Sequence, residues 1–151
     1  MVTRAGRLVT GFALAVVVFT PAVGRADDED IIEYRQHIMK TLGEQAAAIR
    51  MIVEHKAPAT NFATHTRVLA ITAATAKKAF VPKVPGGKAK PEVWAQWADF
   101  AKRFDTLAAA ADELAITAKN GDASAAAPKL EAALACKSCH EVYCSEKIKE
   151  Y

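Results

Sequence analysis

Several things are scarce in this chain of 151 residues, and each scarcity excludes something. No stretch alternates apolar and polar residues as a half-buried strand would, so a sheet is not expected. There is no internal repeat and no low-complexity tract. Neither sign of charge dominates: 20 basic side chains face 17 acidic ones. A polybasic nucleic-acid surface is therefore not expected. The longest apolar run, Leu8 to Val18, is too short and too closely followed by Pro21 to span a bilayer. Cysteines number only three.

What is present begins with that apolar run. Arg4 and Arg7 precede it, and Gly24-Arg25-Ala26 follows as a small-x-small cleavage site. Residues 1–26 thus read as a secretory signal peptide, and residues 27–151 as one domain. Removing Arg4, Arg7 and Arg25 leaves 17 basic against 17 acidic side chains. The domain is then formally neutral and exported, with no stable membrane insertion after cleavage.

From Asp27 on, apolar residues recur at helical spacing. A first helix is expected from about Asp28 to His55, with an inward stripe of Ile31, Arg35, Ile38, Met39, Leu42, Ala46, Ile49 and Val53. Pro58 stops it. Thr60 or Asn61 caps a second helix reaching about Phe80. A long irregular connection, 81–90, holds Pro82, Pro85, Gly86 and Gly87. Pro91 opens a third helix with Val93, Trp97, Phe100, Phe104, Leu107, Ala111, Leu114 and Ala118 inward, ended by Asn120-Gly121. Asp122 or Ser124 caps a fourth, in which Pro128 is tolerable only in the opening turn. That helix is expected to continue to about Lys147. The fold class is all-α, an antiparallel up-and-down four-helix bundle able to hold a cofactor between facing helices. Alanine in helices three and four either leaves room for a flat macrocycle or serves close packing.

Chemistry concentrates near the C-terminus, at Cys136-Lys137-Ser138-Cys139-His140. C-x-x-C-H is the pattern for covalent attachment of c-type haem. Two thiols add across the porphyrin vinyl groups and the adjoining imidazole becomes an axial ligand of the iron. On a helix, positions 136, 139 and 140 share one face. A redox dithiol would need a preceding strand, which is missing. A zinc site would need a ligand from Cys144, His37, His55 or His65, none at familiar spacing. One covalently bound haem c, with its iron, is the expected cofactor, attached to Cys136 and Cys139 with His140 proximal. Export to a periplasm suits that attachment. Cys144 is then left over, an odd cysteine in an exported chain.

These features together resemble the class II c-type cytochromes, the cytochrome c′ and low-spin cytochrome c-556 group. Tyr34-Arg35-Gln36, Ala57-Pro58 with Phe62, Lys90-Pro91-Glu92-Val93-Trp94 and the single haem motif carry the likeness across nearly the whole mature chain. The resemblance implies a four-helix bundle, commonly dimeric. It implies that Met39 faces the distal side of the haem as a sixth ligand, and that Arg35 lies near a propionate. One departure stands out: a basic residue is common four positions after the haem histidine, and this chain has Cys144 there.

The expected function is a periplasmic one-electron carrier serving unidentified redox partner proteins, with His140 and Met39 as axial ligands. The alternative is a five-coordinate, gas-binding protein in which Met39 merely shields the open side for nitric oxide or carbon monoxide. A haem enzyme is not expected, since no acid–base pair shares the Met39 face. His37 should point away from that face, and His55 and His65 should be exposed. Trp97 should belong to the core, with Trp94 near the haem edge. Lys77, Lys78, Lys83, Lys88 and Lys90 read as a solvated surface more than as a docking patch. Asp99, Lys102, Arg103 and Asp105 read as a plain solvated helix face.

Overall fold

A computed structural model describes residues 26–119 and 126–147, except the side chains of residues 127 and 132. The leader, the Asn120-Gly121 stop and the Asp122 or Ser124 cap all lie outside the described residues.

The first helix, α1 (Asp28–Val53), starts where the sequence supplies a capping box. The Asp27 carboxylate accepts from the Asp30 amide at 2.9 Å, and the Asp30 carboxylate accepts from the Asp27 amide at 3.3 Å. Together they satisfy donors that a helix start leaves open, and three acids in the first turn complement its dipole. The end of α1 is less comfortable. His55 adopts a left-handed φ of 59°, while Lys56 N–H reaches back to the Met51 carbonyl at 2.8 Å. This is the reversal that glycine usually makes.

A 3-10 turn over Ala59–Asn61 leads into α2 (Phe62–Ala76), and a second 3-10 turn, Lys77–Phe80, tightens its end. Thr66, fully buried, returns its hydroxyl to the Phe62 and Ala63 carbonyls within its own helix. The long connection follows as expected. Among the described residues there are helices and turns but no strand, only the isolated bridges Gly86–Ala89 and Ala89–Cys144.

The third and fourth helices each break where one continuous helix was expected. The third divides into α3 (Glu92–Ala95) and α4 (Trp97–Lys119), with Gln96 outside helical geometry at φ −118° and ψ 42°. The break lets two tryptophans face differently. Trp94 donates its indole N–H to the Phe80 carbonyl at 3.0 Å, whereas Trp97 packs on Phe100, ring centres 5.7 Å apart. Both are half-buried. The fourth divides into α5 (Ala127–Ala133) and α6 (Cys136–Tyr143), and Pro128 sits in the opening turn of α5. Leu134 leaves the helix at φ −108° and ψ 21°, and its carbonyl accepts from Cys136 N–H at 2.7 Å. The attachment motif therefore begins a short helix of its own. That helix ends at Tyr143 and not near Lys147, because Cys144 turns extended to meet Ala89.

The helix α2 packs on both α1 and α4, and α4 carries α5 and α6. With the broken helices counted as one each, the arrangement is the four-helix bundle expected. Its core has two parts. One, around Ile49, Phe62, Leu69, Leu114 and Leu130, is closed by buried alanines from α2, α4 and α5. These buried alanines serve close helix packing. The other is aromatic: Phe100 lies 5.1 Å from each of Phe80, Phe104 and Tyr143, ring centre to ring centre. This second part lies against the site.

Because His55 holds a backbone shape that costs an L-residue about 1 kcal/mol, His55→Gly should stabilise the protein by roughly that amount. Denaturant unfolding reads the gain, and His55→Ala should give none.

Candidate functional site

A cavity of about 850 Å³ opens between α1, α4 and α6. Met39 and Leu42 line it from α1, Phe100 and Leu107 from α4, and Cys136, Cys139 and His140 from α6. The α6 helix presents its two thiols and imidazole at i, i+3, i+4, so one face carries all three. All three side chains are half-buried, and neither cysteine is in a disulfide. Burial pushes the Cys139 thiol up to about 11, with the Arg103 cation pulling the other way. Burial also raises Cys136 and holds the His140 imidazole below its usual range. The site thus favours uncharged thiols and a neutral imidazole, the form that can donate a lone pair to a metal.

Met39, half-buried, lines this same cavity. Arg35, one turn earlier, is only 3 % exposed. It donates from Nη2 to the Val84 carbonyl at 2.7 Å and from Nε to the Ile31 carbonyl at 3.4 Å. Its guanidinium stacks 5.4 Å from the Phe80 ring centre and 5.3 Å from that of Trp94. Burial lowers its pKa. A charge is held here by aromatic faces and two carbonyls, with no carboxylate of the described residues among its hydrogen-bond partners.

Among the described residues, two buried polar side-chain atoms beside the cavity have no partner: Arg35 Nη1 and His140 Nδ1. Native interiors seldom leave such atoms unpaired. A guanidinium N–H awaiting an anion, beside an imidazole and two thiols that share one face, fits a haem carrying propionates. Among the described residues no three His, Cys, Asp or Glu side chains come together to hold a metal ion by themselves.

The rim is built by the long connection. Lys90 N–H donates to the Tyr143 carbonyl at 3.0 Å, and Ser145 N–H to the Lys88 carbonyl at 2.9 Å. On the other side Gly87 (φ 63°) lies so close to α1 that a Cβ there would stand 2.8 Å from Ile32 Cγ2. The connection thus straps α1 to the end of α6. Three of its neighbouring lysines are engaged: Lys77 with Asp105, Lys88 with Glu146 at 2.7 Å, and Lys90 with the Glu141 carbonyl at 3.1 Å.

His37 is exposed and paired with Glu33 on its own helix, away from the cavity as expected. His55 is exposed, but His65 is half-buried, its Nδ1 2.8 Å from Gln45 Oε1. The reading of Asp99 and Arg103 as a plain solvated face needs correction. Both line the cavity, where Asp99 accepts from buried Tyr143 and Arg103 donates to the Ser138 carbonyl. The pairing needs Tyr143, three residues past His140, to come against α4, which no local pattern reveals.

A C-terminal helix with two thiols and an imidazole on a cavity between bundle helices defines a class, the helical-bundle c-type haem proteins. Comparison with known proteins narrows it. The cytochrome c′ family profile matches residues 30–144. A cytochrome c′ of Alcaligenes xylosoxydans xylosoxydans is 30 % identical over 129 residues, covering 81 % of this chain and 98 % of that one. Among solved structures from Alcaligenes xylosoxidans, a carbon-monoxide-bound leucine-to-glycine variant of cytochrome c′ superposes with a TM-score of 0.74 at 27 % identity. It covers 80 % of this chain and 98 % of that one. A ferrous arginine-to-lysine variant with bound nitric oxide gives 0.75 at 28 % identity, covering 82 % and 100 %. The chain belongs to the cytochrome c′ family. One covalently attached haem c, with its iron, is that family's cofactor.

Arg35→Met should leave the Val84 carbonyl without its donor at a cost of about 1–3 kcal/mol. Unfolding should show that loss, and amide exchange in 81–90 should quicken.

Proposed function

We propose that this protein is a periplasmic cytochrome c′ whose haem is attached to Cys136 and Cys139, with His140 as proximal ligand and the opposite side open to a diatomic gas. Residues 1–26 then act as the export signal, and the mature chain begins at Asp27. Among the described residues no helix is long and apolar enough to cross a membrane. The observation that carries the reading is one cavity bounded by the two thiols and imidazole of α6 and by Met39 and Leu42 of α1.

Haem c, when bound, supplies the iron that changes oxidation state or takes up a gas. The residues do the rest. Cys136 and Cys139 fix the cofactor's orientation, and His140 offers a neutral imidazole. The Arg35 Nη1 donor is free for a propionate. Met39 and Leu42 keep the facing side apolar, which excludes water and disfavours charged ligands. His37 faces away, so no imidazole of α1 supplies an acid–base partner for peroxide chemistry.

The relatives bound to carbon monoxide and nitric oxide support the gas-binding reading over that of an electron carrier. The carrier reading keeps one observation in its favour: the Met39 thioether lines the same cavity as His140. A thioether ligand would fill the sixth position, raise the potential and suit electron transfer.

Optical spectra of the haem-loaded protein separate the two. The open-site reading expects a high-spin ferrous spectrum that shifts with carbon monoxide. Met39→Ala should then tighten gas binding by roughly tenfold, about 1.4 kcal/mol. A low-spin spectrum indifferent to the gas, turning high-spin in Met39→Ala, would make Met39 a ligand and the protein a carrier.

A further inference from the structure

The helix that bears the attachment motif has eight residues, too few to be stable without tertiary support. Its anchors are therefore functional parts of the site. One comes from α4, where Asp99 and Arg103 lie a single turn apart. Arg103 Nε donates to Asp99 Oδ2 at 2.6 Å, and its Nη1 donates to the Ser138 carbonyl at 2.9 Å. The same guanidinium lies 5.6 Å from the Tyr143 ring centre. Tyr143, 3 % exposed, donates its hydroxyl to Asp99 Oδ2 at 2.5 Å. Ser138 and Tyr143 bracket Cys139 and His140, so the pair grips the turn on both sides of the proposed thioether and proximal ligand. Two charges are spent here, and both line the cavity. Cys144, four residues after His140, brings none.

We propose that Asp99 and Arg103 are a positioning pair that holds the attachment turn against α4 and sets the charge felt by the iron from its proximal side. The inference rests on haem attachment at Cys136 and Cys139. Arg103 is the member that touches the turn. As a cation it disfavours the additional positive charge of ferric iron and raises the reduction potential, while Asp99 offsets part of that effect. Tyr143 and Arg103, both bonded to Asp99, hold its carboxyl below the usual range and keep it ionised.

The sign of two potential shifts provides the test. Arg103→Gln leaves the Asp99 anion uncompensated and should lower the midpoint potential of the haem-loaded protein. Asp99→Asn leaves the Arg103 cation and should raise it. Both shifts should shrink as ionic strength rises. A brace without electrostatic influence predicts otherwise, because either variant loosens the same turn and moves the potential the same way. Shifts of one sign, or none in either variant, would overturn the proposal. Arg103→Lys keeps the charge and loses the forked contact. It should hold the potential while amide exchange over 137–143 quickens, and it carries the test with Asp99→Asn if Arg103→Gln does not fold. Pigment retained after denaturation is measured first. Its absence from the wild-type chain would refute the attachment reading, whereas its presence with wrong-signed shifts would refute the pair alone.

Discussion

A buried nitrogen with nothing to bind is the constraint from which the rest of this structure follows. His140 Nδ1 and Arg35 Nη1 are both enclosed and both unpaired, and each such atom costs on the order of 1–3 kcal/mol. They belong to opposite sides of one cavity, α6 and α1. A group that offers an anion to the guanidinium would relieve the cost at Arg35. The family's haem c is such a group. The bundle is consequently best understood as two halves with different duties. The half around Leu69 and Leu114 closes on alanines and provides stability. The aromatic half around Phe100 stops short of closing and leaves the cavity.

The breaks in the third and fourth helices serve the same end. An unbroken fourth helix would carry the motif on at the angle of α5 and send Cys144 onward into a further turn. The non-helical geometry of Leu134 starts α6 afresh, and the extended Cys144 joins it to the strap over 86–90. That strap and the residues leading into it are held to α1 by Ile32 and the Arg35–Val84 bond, and to the end of α6 by Lys90 N–H on the Tyr143 carbonyl and Ser145 N–H on the Lys88 carbonyl. The α1 and α6 walls of the cavity are thus tied through one loop.

Much of this was legible in the sequence because it was local. Pro91 announced the start of α3, and Pro82 to Gly87 the long connection. Spacing alone placed the thiols and imidazole of the motif on one helix face. The interruptions at Gln96 and Leu134 were not legible, since neither residue breaks a helix by propensity and both respond to tertiary contacts. Asp99 and Arg103 were misread for a related reason. On α4 they look like an ordinary i, i+4 surface pair, and only the folded-back α6 supplies Tyr143 and Ser138 as partners. Arg35 was noticed as a charge within an apolar stripe, but its two aromatic faces come from residues 45 and 59 positions away.

Covalent attachment at Cys136 and Cys139 is the central claim, and peptide mass mapping of the denatured, purified protein tests it most directly. The account predicts haem mass on the peptide holding residues 136–140, with both thiols refractory to alkylation and Cys144 still reactive. Release of the pigment on denaturation, or alkylation of Cys136 and Cys139 alongside Cys144, would contradict it.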